Sequence, residues 1–168
     1  GVELFIFEPN SLPFALLKKN MKKLKDEHLY QYGVGNDGTH EFYYVEGMTG
    51  VGSVFKENAE FSPVRQGKKL NLVSDKVEFV SDVKAVTGRG HFDLIKIDVE
   101  GYEYDVLKYI KNITAKYLFI EVSSARFKTF AHSDLFLVVE KKFGPFDIVY
   151  QSCTTLTLNH FDVLLKIK

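Results

Sequence analysis

The sequence predicts an α/β fold of three layers, with a mostly parallel sheet and an antiparallel C-terminal edge. Three observations carry this expectation. Short apolar runs alternate with helical patterns; several of those runs end in acids; and the last two runs, Phe146 to Gln151 and Phe161 to Ile167, stand close together. Strands that alternate with helices are joined by crossovers and so run parallel, whereas a close final pair reads as an antiparallel edge. The 168 residues suit one domain, 1–168, with a single sizeable core.

Taken in order, Val2 to Phe7 reads as a strand, and Glu8-Pro9-Asn10-Ser11-Leu12-Pro13 turns it into a helix from about Phe14 to Leu24. Phe14, Leu17, Met21 and Leu24 recur on one face, and Lys18, Lys19, Lys22, Lys23 and Lys25 coat the remainder as a solvated surface. Leu29 to Val34 is the next strand, closed by the turn Gly35-Asn36-Asp37-Gly38, and Glu41 to Val45 is a further strand in a hairpin. Gly47 to about Lys69 reads as a loop. Its glycines lack a following Gly-Lys-Ser/Thr, so it is no nucleotide loop, and it serves either as a cover over a pocket or as a surface excursion.

Val77 to Val80 is a short strand, and Ser81-Asp82 caps a brief helix reaching Thr87. Leu94, Ile95 and Ile97 then form a core strand that empties into Asp98, Glu100 and Gly101 before Val106, Leu107 and Ile110 restart at helical spacing. Tyr117 to Val122 is another apolar strand, and Ser133-Asp134 precedes a helix from about Leu135 to Phe143, stopped by Gly144-Pro145. The two closing strands are separated by a polar turn around Thr154 to His160.

Lysine plus arginine number 22 and aspartate plus glutamate 22, so the formal charge is zero. A neutral chain lacks the electrostatic footprint of a nucleic-acid binder. The single cysteine, Cys153, excludes an internal disulfide framework and more readily packs than reacts, and no run has the apolar length of a membrane span. These features fit a soluble protein of a reducing compartment, the cytoplasm, in which Asn112-Ile113-Thr114 is a chance match to a glycosylation acceptor.

Three strands finish in acids: Glu8, Asp98 with Glu100, and Glu121. Parallel strands of one sheet put their carboxyl ends on one rim, so these side chains are expected to converge on one crevice. An acid after an early strand suits bidentate hydrogen bonds to ribose hydroxyls, and acids on central strands suit taking a proton, or binding a cation or metal. The plainer reading is that the acids around Gly101 only cap and solubilise a helix.

Ile6-Phe7-Glu8-Pro9-Asn10, Asp93 to Gly101 with Glu103, Val106, Leu107 and Lys108, and Leu118-Phe119-Ile120-Glu121-Val122 together resemble the FkbM-type S-adenosylmethionine-dependent methyltransferases in order and spacing. The turn Asn36-Asp37-Gly38 with Glu41-Phe42-Tyr43, and the tail Phe161 to Leu165, also resemble that family. The resemblance implies a Rossmann-like methyltransferase sheet and O-methylation of a hydroxyl on a sugar or polyketide-type natural product, with S-adenosylmethionine as cofactor. It implies that Glu8 holds the ribose hydroxyls, flanked by Pro9 and Asn10, and that Val34 and Asn36 border adenine. It places Asp98 and Glu100 beside the methionine part and the acceptor hydroxyl, with Glu121 and His132 completing the acceptor side. No metal is implied.

The chain departs from the family at its start: the first strand and its glycine-rich turn are absent, and Gly1 opens on the second strand. In the family's sheet that strand lies between the strands Val2 to Phe7 and Phe92 to Asp98. The expectation is an N-terminally truncated chain; the alternatives are that the two neighbours close up, or that another copy contributes a strand, making a homo-oligomer. Two rival functions stay open. One is a magnesium-dependent hydrolase or transferase using Asp98, Glu100 and Glu121; the other is a degenerate, non-catalytic binding module. His28, His40, His91 and His160 have no ligand-like spacing, and Arg126 and Lys128 default to the surface.

Overall fold

The computed structural model describes residues 2–21, 28–47, 52–57, 59, 71–123, 132–153 and 160–168. The polypeptide opens with a strand of two residues, β1 (Ile6–Phe7), rather than six, because only these find a partner: β2 (Leu29–Tyr30) pairs with them in parallel. The Glu8 N–H extends the ladder to the Tyr30 carbonyl at 3.1 Å, and the Phe7 and Tyr30 rings stack at 4.9 Å.

Helix α1 (Ser11–Asn20) begins earlier than the apolar spacing predicts. Asn10 caps it, its side-chain oxygen accepting the Leu12 N–H at 3.1 Å. Pro13 then falls within the first turn, where amides have no intrahelical partner, so its missing N–H costs nothing. Phe14, Leu17 and Met21 are half-buried, and no residue of α1 is fully buried. Leu24 and the lysines Lys22, Lys23 and Lys25 lie outside the described residues.

The expected strand from Leu29 to Val34 divides in two. Its first half pairs with β1, and β3 (Gly33–Val34) pairs in parallel with β6 (Leu72–Val80). Gly33 permits that approach: a Cβ there would stand 2.4 Å from the Phe79 ring. β4 (Gly38–Val45) runs antiparallel to β6 from Gly38 opposite Phe79 to Val45 opposite Leu72, which makes both strands longer than their apolar runs. Mutual pairing carries the exposed Asp75 and Lys76 into the strand. β5 (Gly52–Ser53) adds an antiparallel edge to β4. The remainder of the 47–69 loop falls largely outside the described residues.

Asp82 caps α2 (Val83–Thr87) as expected, accepting the Ala85 N–H at 2.9 Å, and Gly88 ends it in the left-handed conformation at φ 74°. β7 (His91–Ile97) and β8 (Thr114–Ser123) pair in parallel, then β10 (His160–Ile167) and β9 (Phe146–Cys153) complete the order β7-β8-β10-β9 by antiparallel pairing. Two helices, α3 (Glu103–Tyr109) and α4 (His132–Phe143), pack against each other and this sheet. Leu107, Leu118, Ile120, Val122, Leu135, Val139, Val163 and Leu165 are wholly buried between them. Each such side chain contributes about 1.5–3 kcal/mol by leaving water.

The architecture is mixed α/β in three sheets, and the mostly parallel sheet does not hold among the described residues. Parallel pairs β1/β2, β3/β6 and β7/β8 stand against antiparallel pairs β4/β5, β4/β6, β8/β10 and β9/β10. The β4-β5-β6 unit, whose extent the sequence underestimates, accounts for the difference. The expected antiparallel C-terminal edge is present.

Gly33→Ala is expected to destabilise the fold by about 1–3 kcal/mol, because the new methyl group would stand 2.4 Å from the buried Phe79 ring and force it to shift. Urea unfolding measures it; an unchanged midpoint would contradict the packing of β3 against β6.

Candidate functional site

Ile97 ends β7 buried, and the chain then reverses within four residues, Asp98-Val99-Glu100-Gly101, to enter α3. The reversal needs two successive left-handed residues, Glu100 at φ 51° and Gly101 at φ 99°. Gly101 takes such an angle freely; Glu100 does so at a cost that its surroundings must offset. The Tyr102 cap position gives α3 no side-chain hydrogen bond. Instead the Glu103 carboxylate turns back, and its Oε1 accepts the Gly101 N–H at 2.9 Å and the Val99 N–H at 3.4 Å. Ser53 of β5 donates its hydroxyl to the Glu100 carbonyl at 3.3 Å, so a second segment braces the turn.

Beside this turn lies a cavity of about 710 Å³ between β1 and β7. Consecutive residues Glu3 to Asn10 on one side, and Leu94 to Glu100 on the other, all line it. Alternate side chains point to opposite faces of a strand, so an unbroken run lining one void means that the void lies along the strand edge. Among the described residues β1 pairs with β2 and β7 with β8, and the two strands that flank the cavity do not close up on each other. Leu94, an apolar strand residue, is left 55 % exposed. Val83, Ile110 and Ile113 form an apolar wall, and Val34, Phe79 and Tyr102 another, with the Phe79 and Tyr102 rings edge to face at 5.5 Å.

The cavity brings together Glu8, Pro9 and Asn10 from the end of β1, Val34 from β3, and Asp98 and Glu100 from the end of β7. Glu8 is half-buried; desolvation raises its pKa, opposed by the Asn10 N–H that its Oε1 accepts at 2.9 Å. Asn10 is buried, and its side-chain oxygen is engaged in capping α1. Asp98 pairs with Lys96 at 2.7 Å, and that bond raises the lysine pKa, with further support from Glu121 and Asp162. Tyr102 is buried and its phenol is pushed up to about 12, chiefly by desolvation, so it stays protonated across the physiological range.

Two sequence-predicted residues stand elsewhere, and the side chain of a third is not described. Asn36 is exposed in the turn after β3 and is not part of the cavity lining: its carbonyl accepts from His40 Nε2 at 2.8 Å, and its N–H meets the Tyr102 hydroxyl. Glu121 stands half-buried on β8, within electrostatic reach of Lys96, and does not line the cavity. His132 opens α4, but its side chain lies outside the described residues. Among the described residues no three His, Cys, Asp or Glu side chains group as metal ligands, and no helix is long and apolar enough to cross a membrane.

Lys96, Tyr102 and Glu103 are the site residues that sequence reasoning passed over. A lysine two places before a strand-end aspartate shares its face, which is a signal that could have been read. The inward turn of Glu103 had no such signal, because a glutamate in the first helical turn ordinarily faces water.

A family model described as the Methyltransferase FkbM domain matches residues 1–145. The chain belongs to the FkbM methyltransferase family. The match spans β1 through the end of α4, and so takes in every described residue lining the cavity of this FkbM-family enzyme. No curated protein and no solved structure matches it.

Burial raises the Glu103 pKa from 4.5 to about 7, its three main-chain hydrogen bonds only partly opposing desolvation. A carboxyl whose pKa is raised on folding adds stability below the unfolded value and loses it as pH climbs through the folded one. Relative to Glu103→Gln, the parent FkbM-family chain should lose roughly 3 kcal/mol of unfolding free energy between pH 4.5 and about 7. Parallel pH curves for the two proteins in urea unfolding would contradict a buried, titrating Glu103.

Proposed function

We propose that this chain is an S-adenosylmethionine-dependent O-methyltransferase acting on a hydroxyl of a sugar or natural-product small molecule, built on a Rossmann-like methyltransferase sheet. The observation that carries the reading is that Glu8, Asp98 and Glu100, which follow the ends of two separate strands, line one cavity of about 710 Å³. That volume lies within the range of small-molecule sites. Its mixed lining suits a nucleoside that offers a flat apolar base together with polar hydroxyl and amino groups.

On this reading the donor, when bound, supplies an electrophilic methyl group. Glu8 accepts hydrogen bonds from the two ribose hydroxyls, with Pro9 and Asn10 shaping the turn beneath it. Val34, Phe79 and Tyr102 supply an apolar wall for the base. Asp98 and Glu100 face the acceptor side, where a carboxylate within hydrogen-bond reach of the hydroxyl orients it and takes its proton as the carbon–oxygen bond forms. Lys96 holds the Asp98 carboxylate in place through their 2.7 Å ion pair. Glu121 and His132 are assigned to the acceptor side, and the protein works in the cytoplasm on a small molecule, without nucleic acid or membrane.

A second reading, a methyltransferase-like binding module without turnover, is favoured by one observation. The two described glycines lining the cavity, Gly33 and Gly52, have the rings of Phe79 and Phe42 where a Cβ would stand, so on that side of each an aromatic ring of the protein takes the space. Calorimetric titration with S-adenosylhomocysteine separates the two. The first reading predicts binding, weakened roughly ten- to hundredfold in Glu8→Ala by loss of charge-assisted hydrogen bonds. An absence of binding by a cooperatively melting parent would sink it in favour of the module.

Asp98→Asn should lower methyl transfer roughly a hundredfold or more while leaving affinity for S-adenosylhomocysteine within a few-fold, if the carboxylate acts on the acceptor. A radiolabelled methyl-transfer assay over candidate hydroxyl acceptors makes the comparison. Equal loss of affinity would move Asp98 to the donor side.

A further inference from the structure

We propose that Glu103 is a positioning residue, whose buried carboxyl latches the Asp98–Gly101 reversal and so sets where the Asp98 and Glu100 side chains stand in the cavity. The inference rests on the reading that those two acids serve the donor and acceptor. Three geometric observations carry it.

First, Glu103 is only 2 % exposed although it sits in the opening turn of a helix, a place where a glutamate meeting water would serve the helix equally well. Burying a carboxyl is expensive, and its Oε2 is left without a partner among the described residues, so the fold bears a cost that helix formation does not explain. Second, two of its main-chain bonds run backward out of the helix, to the N–H groups of Val99 and Gly101. Those two amides flank Glu100, the non-glycine residue held at φ 51°. A carboxyl oxygen that accepts from both sides of one residue fixes the direction of its side chain. Third, Glu103 does not line the cavity, while Asp98, Val99, Glu100 and Tyr102 all do. It therefore acts through its neighbours and touches no ligand itself.

Other side chains contribute less to the same turn. Ser53 holds the Glu100 carbonyl from β5 and Lys96 holds the Asp98 carboxylate from β7 itself, and each reaches one residue. Glu103 alone among the described contacts gathers two amides of the reversal at one oxygen. An amide oxygen would serve the latch as well as a carboxylate oxygen, since only acceptance is needed.

The test uses Glu103→Met, which fills the space but accepts no hydrogen bond; Glu103→Gln, which keeps an acceptor; and Leu107→Val, which weakens the same helix from the core side without touching the cavity lining. Glu103→Asp, too short to reach both amides, stands in should the methionine variant fail to fold. Hydrogen exchange of the Val99 and Gly101 amides is followed by NMR, and S-adenosylhomocysteine affinity is measured well below every melting temperature. Exchange at both amides should quicken roughly ten- to hundredfold in Glu103→Met, with affinity falling by a similar factor, while Glu103→Gln stays within a few-fold of the parent on both. Exchange unchanged in Glu103→Met, or equally quickened in Leu107→Val, overturns the latch. Quickened exchange with unaltered affinity overturns its role in positioning. If the parent binds no S-adenosylhomocysteine, the functional reading falls, and the exchange comparison still decides whether Glu103 holds the turn.

Discussion

Two strands that border one cavity without pairing with each other, β1 and β7, set the character of this molecule. Each is fixed on its outer side, β1 by β2 and β7 by β8, so that their facing edges border a void instead of a ladder. Backbone amides and carbonyls that line a space keep a demand for polar partners, and the apolar side chains around them keep a demand for cover. A cavity with both demands is suited to an amphipathic guest such as a nucleoside, and the acids stand at the end where both strands stop.

Directionality explains why acids far apart in sequence meet. Glu8 and Asp98 lie ninety residues apart and on different sheets, yet each follows directly on a strand whose neighbour runs parallel to it. Among the described residues α3 and α4 bury Leu118, Ile120, Val122 and Val163 against the sheet, while Leu94 stays exposed beside the cavity. Electrostatics then separate the acids. Burial raises the Glu8 pKa and raises that of the more deeply buried Glu103 to about 7, while Asp98 is held in an ion pair by Lys96.

Much of this was legible in the residues. The strand from Phe92 to Ile97, its acidic end, the capped helix at Asp82 and the closing antiparallel pair all follow from apolar periodicity and cap chemistry, which are local. The family match to residues 1–145 agrees with the resemblance carried by the Glu8-Pro9-Asn10 and Asp98 to Gly101 blocks. What escaped was non-local. The division of Leu29 to Val34 depends on partners more than forty residues away for its second half, and the length of β4 and β6 depends on their pairing with each other, not on apolar content. Glu121 was expected in the crevice because it ends a strand, but β8 is one strand further from the cavity than β7, and the side chain meets Lys96's field instead. Asn36 was expected beside a base, and the turn instead spends its carbonyl on His40.

The central claim is that one guest touches both strand ends at once. Amide chemical-shift mapping on addition of S-adenosylhomocysteine tests it most directly. The account predicts that Glu8 and Asn10 shift together with Asp98, Glu100 and Tyr102 along one binding isotherm. Shifts confined to one of the two strand ends, or centred on the remote β9 edge, would contradict it.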